Sequence, residues 1–515
     1  MSLNLASLLR NSALVHPQSP AVIHDDVRLR YSDLEKAAER FAGDLLSGGV
    51  KPGDKVALMV PNVPAFTIAY FGVLLAGGVV VPLSTLLVAN EVAFQLEDSE
   101  ARACVVHRQC AAVAWEALGR VTGCRLVYTV EMDGGEGGLP GRRRFEDVIS
   151  TASPADIAQT AGDDTAVILY TSGTTGKPKG AELTHFGLYY NAQLIAERGL
   201  SLWPDEIHIL GPGEVALTAL PLYHAFGQSN IQNAVLFGGG TVSYLLRFCP
   251  AAAALACARD RVTFFAGVPT MYIGLLNEPA VTKDQLSTLT RCVSGGAALP
   301  VEVKEEFFKR FGLRIQEGYG LTETSPLACL QRPNETSKTG TIGKPVLGVD
   351  MQIVDEHDRE VPRGQRGEIV IRGHNIMKGY FKRPEATAEA MRNGWFYSGD
   401  IGYIDPEGDF FIVDRKKDMI IRGGYNVYPR EVEEALYSHP AVAEAAVIGV
   451  PDPRLGEDVK AVVALRPGMA ATAEEIIQHC KELVAAYKYP RIVQIIDSLP
   501  KGPTGKILKR ALRDL

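Results

Sequence analysis

Short β-branched runs followed by helical stretches recur along most of the chain. "KVALMV" and "GGVVVPL" read as buried strands, with "PAFTIAYFGVLLAG" as an apolar helix between them. That is a strand–helix–strand unit with parallel strands. The same alternation returns as "TAVILYTS" before "HFGLYYNAQLIAERG", "VTFFAGVP" before "TMYIGLLN", and "RCVSGGAAL" before "PVEVKEEFFKRFG". It predicts an α/β fold with mixed, largely parallel sheets and flanking helices, with ligands held where strands end in glycine-rich turns. "VDMQIVDEHDREVPRGQRGEIVIRG" alternates in period two instead and predicts an antiparallel β part. After Asp414 a charged, glycine-marked connection leads into a tail of about 100 residues. Its pattern predicts a small α+β domain: helix "PREVEEALYSHP", strand "VAEAAVIGV", helix "AEEIIQHCKELVAAY" and strand "RIVQIID".

Composition changes this picture little. A chain of 515 residues needs more than one core. A net charge of −7 does not suggest a nucleic-acid partner. The eight cysteines show no CxxC pair or metal-ligand spacing, which fits a reducing, cytoplasmic compartment. The N-terminus lacks the cationic start and long apolar core of a signal peptide. Val56 to Asn90 carries no charged residue, but Pro61, Pro64, Gly77, Gly78 and Pro82 break it below the length of a membrane span. No transmembrane segment is expected. Peripheral membrane contact and a homodimer are both compatible with the sequence. The insert Glu131 to Arg144 reads as a solvated loop.

The chemistry-bearing stretch is "YTSGTTGKPKG", Tyr170 to Gly180. Its hydroxyls, closely approachable backbone and lysines make an anion cradle, most naturally for phosphate. It is not a P-loop. Thr171 stands where the first glycine is required, and Pro178 follows Lys177 where Ser or Thr is required.

With "PLYHAFG", "EGYGLTET", "YSGD", "VDRKKDMIIRGGYNVYP" and "PKGPTGK" following in order, nearly the whole chain resembles the adenylate-forming superfamily of acyl-CoA synthetases, peptide adenylation domains and luciferases. The resemblance implies an acyl-AMP made from ATP with release of pyrophosphate. A thiol then takes the acyl group and AMP leaves. It further implies that Thr171, Ser172, Gly173, Thr174, Thr175, Gly176, Lys177 and Lys179 handle the β- and γ-phosphates. Gly296 and Ala297 would line adenine and acyl pocket. In Glu317, Gly318, Tyr319 and Gly320, the tyrosine would stack on adenine. Thr322 would bond the α-phosphate region, and Glu323 would hold Mg2+. Asp400 would bind the ribose hydroxyls, with Arg415 near ribose and phosphate.

Lys506 is implied as the ammonium that bridges carboxylate and phosphate oxygens. Residues 414–417 would be a hinge centred on Lys417 between an adenylation domain, 1–413, and a mobile lid, 418–515. Rotation would withdraw Lys506 and bring Gly423 and Gly424 to line the path of the CoA thiol. His224 matches a gate between acyl pocket and nucleotide, although a satisfied core histidine competes with that role. Some relatives carry lysine where Ile421 stands, which leaves contacts from Ile421 and Arg422 open.

Residues 221–240 contain no Asp or Glu to meet a substrate ammonium, which argues against α-amino acids. The chain ends nine residues past Lys506, so CoA rather than an attached carrier is the expected acceptor. "SNIQNAVLFGGG" and "FFAGVPTMY" suggest mainly apolar walls, and each buried methylene contributes about 0.8 kcal/mol. The motifs most resemble bacterial medium- and long-chain fatty acyl-CoA synthetases. An aryl-CoA ligase, a luciferase-like oxidase and a non-catalytic nucleotide-binding protein are the alternatives.

Overall fold

The computed structural model describes residues 2–131, 142–171, 177–197, 210–331, 338, 340–502 and 505–513. Its strands form sheets of fourteen, eight and five members among the described residues. In the eight-stranded sheet Lys55–Met59 lies between Val79–Pro82 and Ala101–His107, parallel to both. The apolar helix Pro64–Leu75 links the first two and buries ten of its twelve residues. It is apolar all round because it is covered all round. Gly72 lets it approach Phe41 so closely that an added Cβ would stand 2.6 Å from that ring. On its far side Thr67 Oγ1 donates to Gln232 Oε1 at 2.6 Å. The uncharged run from Val56 is therefore an interior layer. No helix among the described residues is long and apolar enough to cross a membrane.

One sequence expectation needs correction. The strand Thr165–Thr171 does not pass directly into a helix. It is followed by the antiparallel strand Lys179–Thr184, with Tyr170 opposite Gly180 and Thr171 opposite Lys179. Only then does helix His185–Ala196 begin, with Thr184 Oγ1 accepting from Gly187 N at 3.0 Å. "KGAELT" was hidden by its polar residues, since one face of this strand is only half-buried.

The fourteen-stranded sheet changes character at its centre. Val215–Thr218, Phe264–Gly267, Arg291–Gly295 and Ile315–Tyr319 run parallel. Beyond Ile315–Tyr319 each neighbour is antiparallel, from Cys329–Leu330 out to Val349–Val354. The period-two stretch pairs with itself as expected, Met351 opposite Ile371. "EGYGLTET" thus sits where the sheet turns from parallel to antiparallel.

The five-stranded sheet consists of Ile420–Arg422, Tyr425–Val427, Val442–Asp452, Gly456–Leu465 and Ile492–Ile495. Helices Pro429–Tyr437 and Ala473–Leu483 contribute Val432, Leu436 and Ile476 to its core. Strand Gly456–Leu465 pairs with three others, yet its charged opening "GEDVK" gave no strand signal.

Candidate active site

The tail's loop enters the cleft of the large sheet. Gly502 N donates to Lys506 O at 2.8 Å and Gly505 N to Gly502 O at 2.9 Å, closing a tight turn. Thr270 Oγ1, on helix Pro269–Asn277, donates to Gly505 O at 2.9 Å and ties the loop to the body. Lys506 then lies over Gly296. A Cβ there would meet Lys506 Cε at 2.8 Å and Nζ at 3.3 Å. Gly296 has φ +81, a conformation that glycine adopts without strain. Gly296 and Ala297 are both exposed, as cleft walls must be.

Beside the lysine, Tyr319 Oη donates to Asp400 Oδ2 at 2.7 Å, and Arg415 Nε lies 3.2 Å from Asp400 Oδ1. Trp395–Ile404 and Phe410–Arg415 pair Asp400 directly opposite Arg415, so the sheet register creates this ion pair. Burial pushes the Asp400 carboxyl up, opposed by the Arg415 charge and the Tyr319 hydroxyl. Both carboxylate oxygens already accept, yet each keeps a further lone pair for a ligand hydroxyl.

Glu323, in the short turn Thr322–Thr324, is buried; Tyr380 Oη donates to its Oε1 at 2.9 Å. Met377 N donates to the Glu323 carbonyl at 2.8 Å. Tyr380 also sits under Lys179 Nζ, 5.4 Å from the ring centroid. It therefore joins the phosphate-loop flank to Glu323. No sequence motif marked Tyr380; it gains its place because Gly379–Tyr380 pairs with Lys179–Thr184. No group of three metal-ligating side chains exists among the described residues. The other Glu323 carboxylate oxygen, which accepts no hydrogen bond among the described residues, is a hard ligand that would suit Mg2+.

Burial, then the Arg415 charge, pulls the Lys506 ammonium down to about 8, against Asp400 and Glu323. A lowered lysine is charged below that value and neutral above it. Adenylate formation under kcat/KM conditions should therefore decline as pH rises through about 8. Bound triphosphate favours the charged form, so the kcat limb should lie at higher pH. A pH profile of acid-dependent pyrophosphate release checks both; coincident limbs would refute the assignment.

His224 is half-buried beside Tyr223, and its Nε2 is buried with no hydrogen-bond partner. Burial, then the Lys506 charge, pulls it down to about 4, so the ring is neutral near pH 7. The helix after it departs from expectation. Phe226–Asn233 is a wide π-helical segment whose Gln228, Ser229, Gln232 and Asn233 are fully buried and bonded into the body, among others to Leu222 O, Thr67 and Tyr70.

Other sequence candidates sit apart. Buried Glu317 lies 3.5 Å from Lys304 Nζ, and its carboxyl is pushed up by burial. Gly318 packs on Leu330, and a Cβ on Gly320 would overlap Pro326 O at 1.5 Å, so both glycines serve close packing. Thr322 is half-buried in its turn. Thr171 Oγ1 donates to Lys179 O at 3.5 Å, and Lys177 is exposed. Ser172, Gly173, Thr174, Thr175 and Gly176 lie outside the described residues. Lys417 is exposed in the turn after Phe410–Arg415. Gly423 and Gly424 form an exposed hairpin turn with φ +57 and +83. Arg422 is committed within the tail, donating to Asp458 Oδ1 at 2.5 Å.

The family model for AMP-binding enzymes matches residues 9–381, and that for the AMP-binding enzyme C-terminal domain matches residues 431–506. The chain belongs to the AMP-binding enzymes. A long-chain-fatty-acid–CoA ligase of Bacillus subtilis (strain 168) is 36% identical over 99% of this chain and 94% of its own length. A feruloyl-CoA synthase of an Amycolatopsis species is 39% identical over 97% of this chain and 96% of its own. The solved o-succinylbenzoate CoA synthetase of Bacillus subtilis, in complex with ATP and magnesium ion, superposes with a TM-score of 0.83. It is 31% identical, covering 98% of this chain and 99% of the other.

Proposed function

We propose that the protein is a cytoplasmic, AMP-forming acid–CoA ligase that activates a medium- or long-chain fatty acid with ATP and Mg2+. The observation that carries this reading is Lys506, seated on Gly296 beside Asp400, Arg415 and Glu323. Two anions, a carboxylate and a triphosphate, repel one another in water. An ammonium fixed between them offsets that repulsion and needs no reorganisation as the bond forms. The carboxylate oxygen attacks the α-phosphorus, the bond to the β-phosphate bridge breaks, and pyrophosphate leaves. The CoA thiolate then attacks the acyl carbon and AMP departs with the oxygen.

In this reading Asp400 takes the ribose hydroxyls and Tyr319 the adenine, while Thr322 and Arg415 meet the α-phosphate side. Glu323 would hold Mg2+, which supplies charge neutralisation of the phosphates. The segment from Thr171 to Lys179 receives the β- and γ-phosphates. Residues 418–515 act as a lid turning at Lys417, so that Gly423 and Gly424 replace Lys506 in the second step. Their present exposure, away from Lys506, supports an arrangement set for the first step. Neutral His224, with its free Nε2, is suited to gate the acyl carboxylate rather than to carry charge.

A second reading, an aryl-acid substrate, is favoured by one observation. Along the π-helical segment only Phe226 and Asn230 are less than fully buried, with His224 just before it. Phe226 reaches the strand end beside Gly296, where a Cβ on Gly295 would meet its ring at 3.1 Å, so an aromatic ring stands next to the seat of Lys506. A panel of fatty and hydroxycinnamic or benzoic acids with ATP, Mg2+ and CoA decides between them by mass spectrometry of the thioesters. Fatty acyl-CoA with AMP is the expected product; aryl-CoA alone selects the second reading, and ADP in place of AMP overturns both.

A further inference from the structure

Besides the Thr270 tie at Gly505, two contacts outside the sequence motifs help fasten the lid to the body. Arg466 Nη1 donates to Glu306 Oε2 and Nη2 to Oε1, both at 3.2 Å, a two-pronged pair across the lid–body boundary. Arg466 Nε also donates to Val442 O within the lid at 3.2 Å, so the guanidinium is held ready rather than free. On the neighbouring lid helix, Glu434 Oε2 accepts from Val301 N at 3.4 Å. Val301 is the first residue of helix Val301–Phe311, whose opening amides lack partners within the helix and favour a negative charge. Glu434 is held by Arg430, 3.7 Å away, which in turn donates to Ile412 O at 2.7 Å.

Both contacts grip one helix, and that helix starts five residues after Gly296, the seat of Lys506. We propose that Glu306, Glu434 and Arg466 are positioning residues for the first half-reaction: they hold the lid where Lys506 reaches Gly296. None touches a substrate. Each tie is modest by itself, which suits a lid that must let go before thioester formation. A two-pronged arginine–carboxylate pair adds direction, because its geometry is met at only one lid angle. The ratio of the two half-reaction rates is then set partly at this boundary, remote from the chemistry.

The proposal rests on the ligase reading above, and the test separates the two. Acid-dependent pyrophosphate release without CoA is compared with thioester formation from synthetic acyl-AMP, alongside Tm. Glu306→Arg places two like charges together and should lower the first rate about tenfold, while the second is unchanged or faster. The swap Glu306→Arg with Arg466→Glu should recover most of the loss. Glu434→Ala should behave as Glu306→Arg does, and Glu434→Gln, which keeps an acceptor oxygen, should not. Equal loss of both rates, no loss in either, or failure of the swap to recover overturns the proposal while leaving the ligase reading intact. Wild-type protein that forms no AMP with any acid would overturn the ligase reading first.

Discussion

Lys506→Ala is expected to lower acyl-adenylate formation about 10²- to 10³-fold, the usual loss when one preorganised donor is removed from developing charge. Thioester formation from supplied acyl-AMP should be largely spared. The asymmetry follows from position. Lys506 is on a loop closed at Gly502 and Gly505 and tied to the body at Thr270, and nothing in the second step requires a cation there. The fold should tolerate the change, because burial and the Arg415 charge make the ammonium costly there, which Asp400 and Glu323 offset only in part. Pyrophosphate release and acyl-AMP consumption, measured separately, check it. Equal loss in both would contradict a division of labour between the two halves.

Gly296→Val is expected to have the next largest effect, a loss of about two orders of magnitude in adenylate formation. Two causes coincide. A β-branched residue at φ +81 is strained, at about 1–3 kcal/mol. Its Cβ would also stand 2.8 Å from Lys506 Cε, so the lysine must retract from its seat. The lysine's far end is flexible, and the strain falls on one turn, so the protein should still fold with a lowered Tm. Because both substitutions act through the same ammonium, the double variant with Lys506→Ala should be little worse than Lys506→Ala alone. Strictly additive losses in that double-mutant cycle would show that Gly296 serves only the backbone.

The comparison of pattern with structure is uneven along the chain. Apolar period and glycine punctuation located the Lys55–Met59 unit, the parallel strands Phe264–Gly267 and Arg291–Gly295, and the antiparallel pair around Met351 and Ile371. Strands Lys179–Thr184 and Gly456–Leu465 escaped because charged residues occupy them, and what makes them strands is the partner alongside. The sequence pattern marked "SNIQNAVLFGGG" as a pocket wall but not the π-helical form of Phe226–Asn233, whose polar residues are buried because Thr67, Tyr70 and Asn191 supply their hydrogen bonds.

Motif residues were legible as candidates because their chemistry is local: a Gly-Thr-Lys run carries the groups of an anion cradle wherever it folds. Side chains that work only across distance were not. Tyr380 meets Glu323 across a sequence separation of 57, and Arg466 meets Glu306 across one of 160. By itself the sequence determined the alternation of elements, the uncharged interior layer and the set of groups able to meet a nucleotide. The tertiary structure alone decided which of those groups share a cleft, which carboxylates are engaged elsewhere, and how the C-terminal segment is held against the body. The physical reason is range: propensity and periodicity act over one turn or one strand. Ion pairing and burial depend on which distant segments the packed sheets bring within a few ångströms.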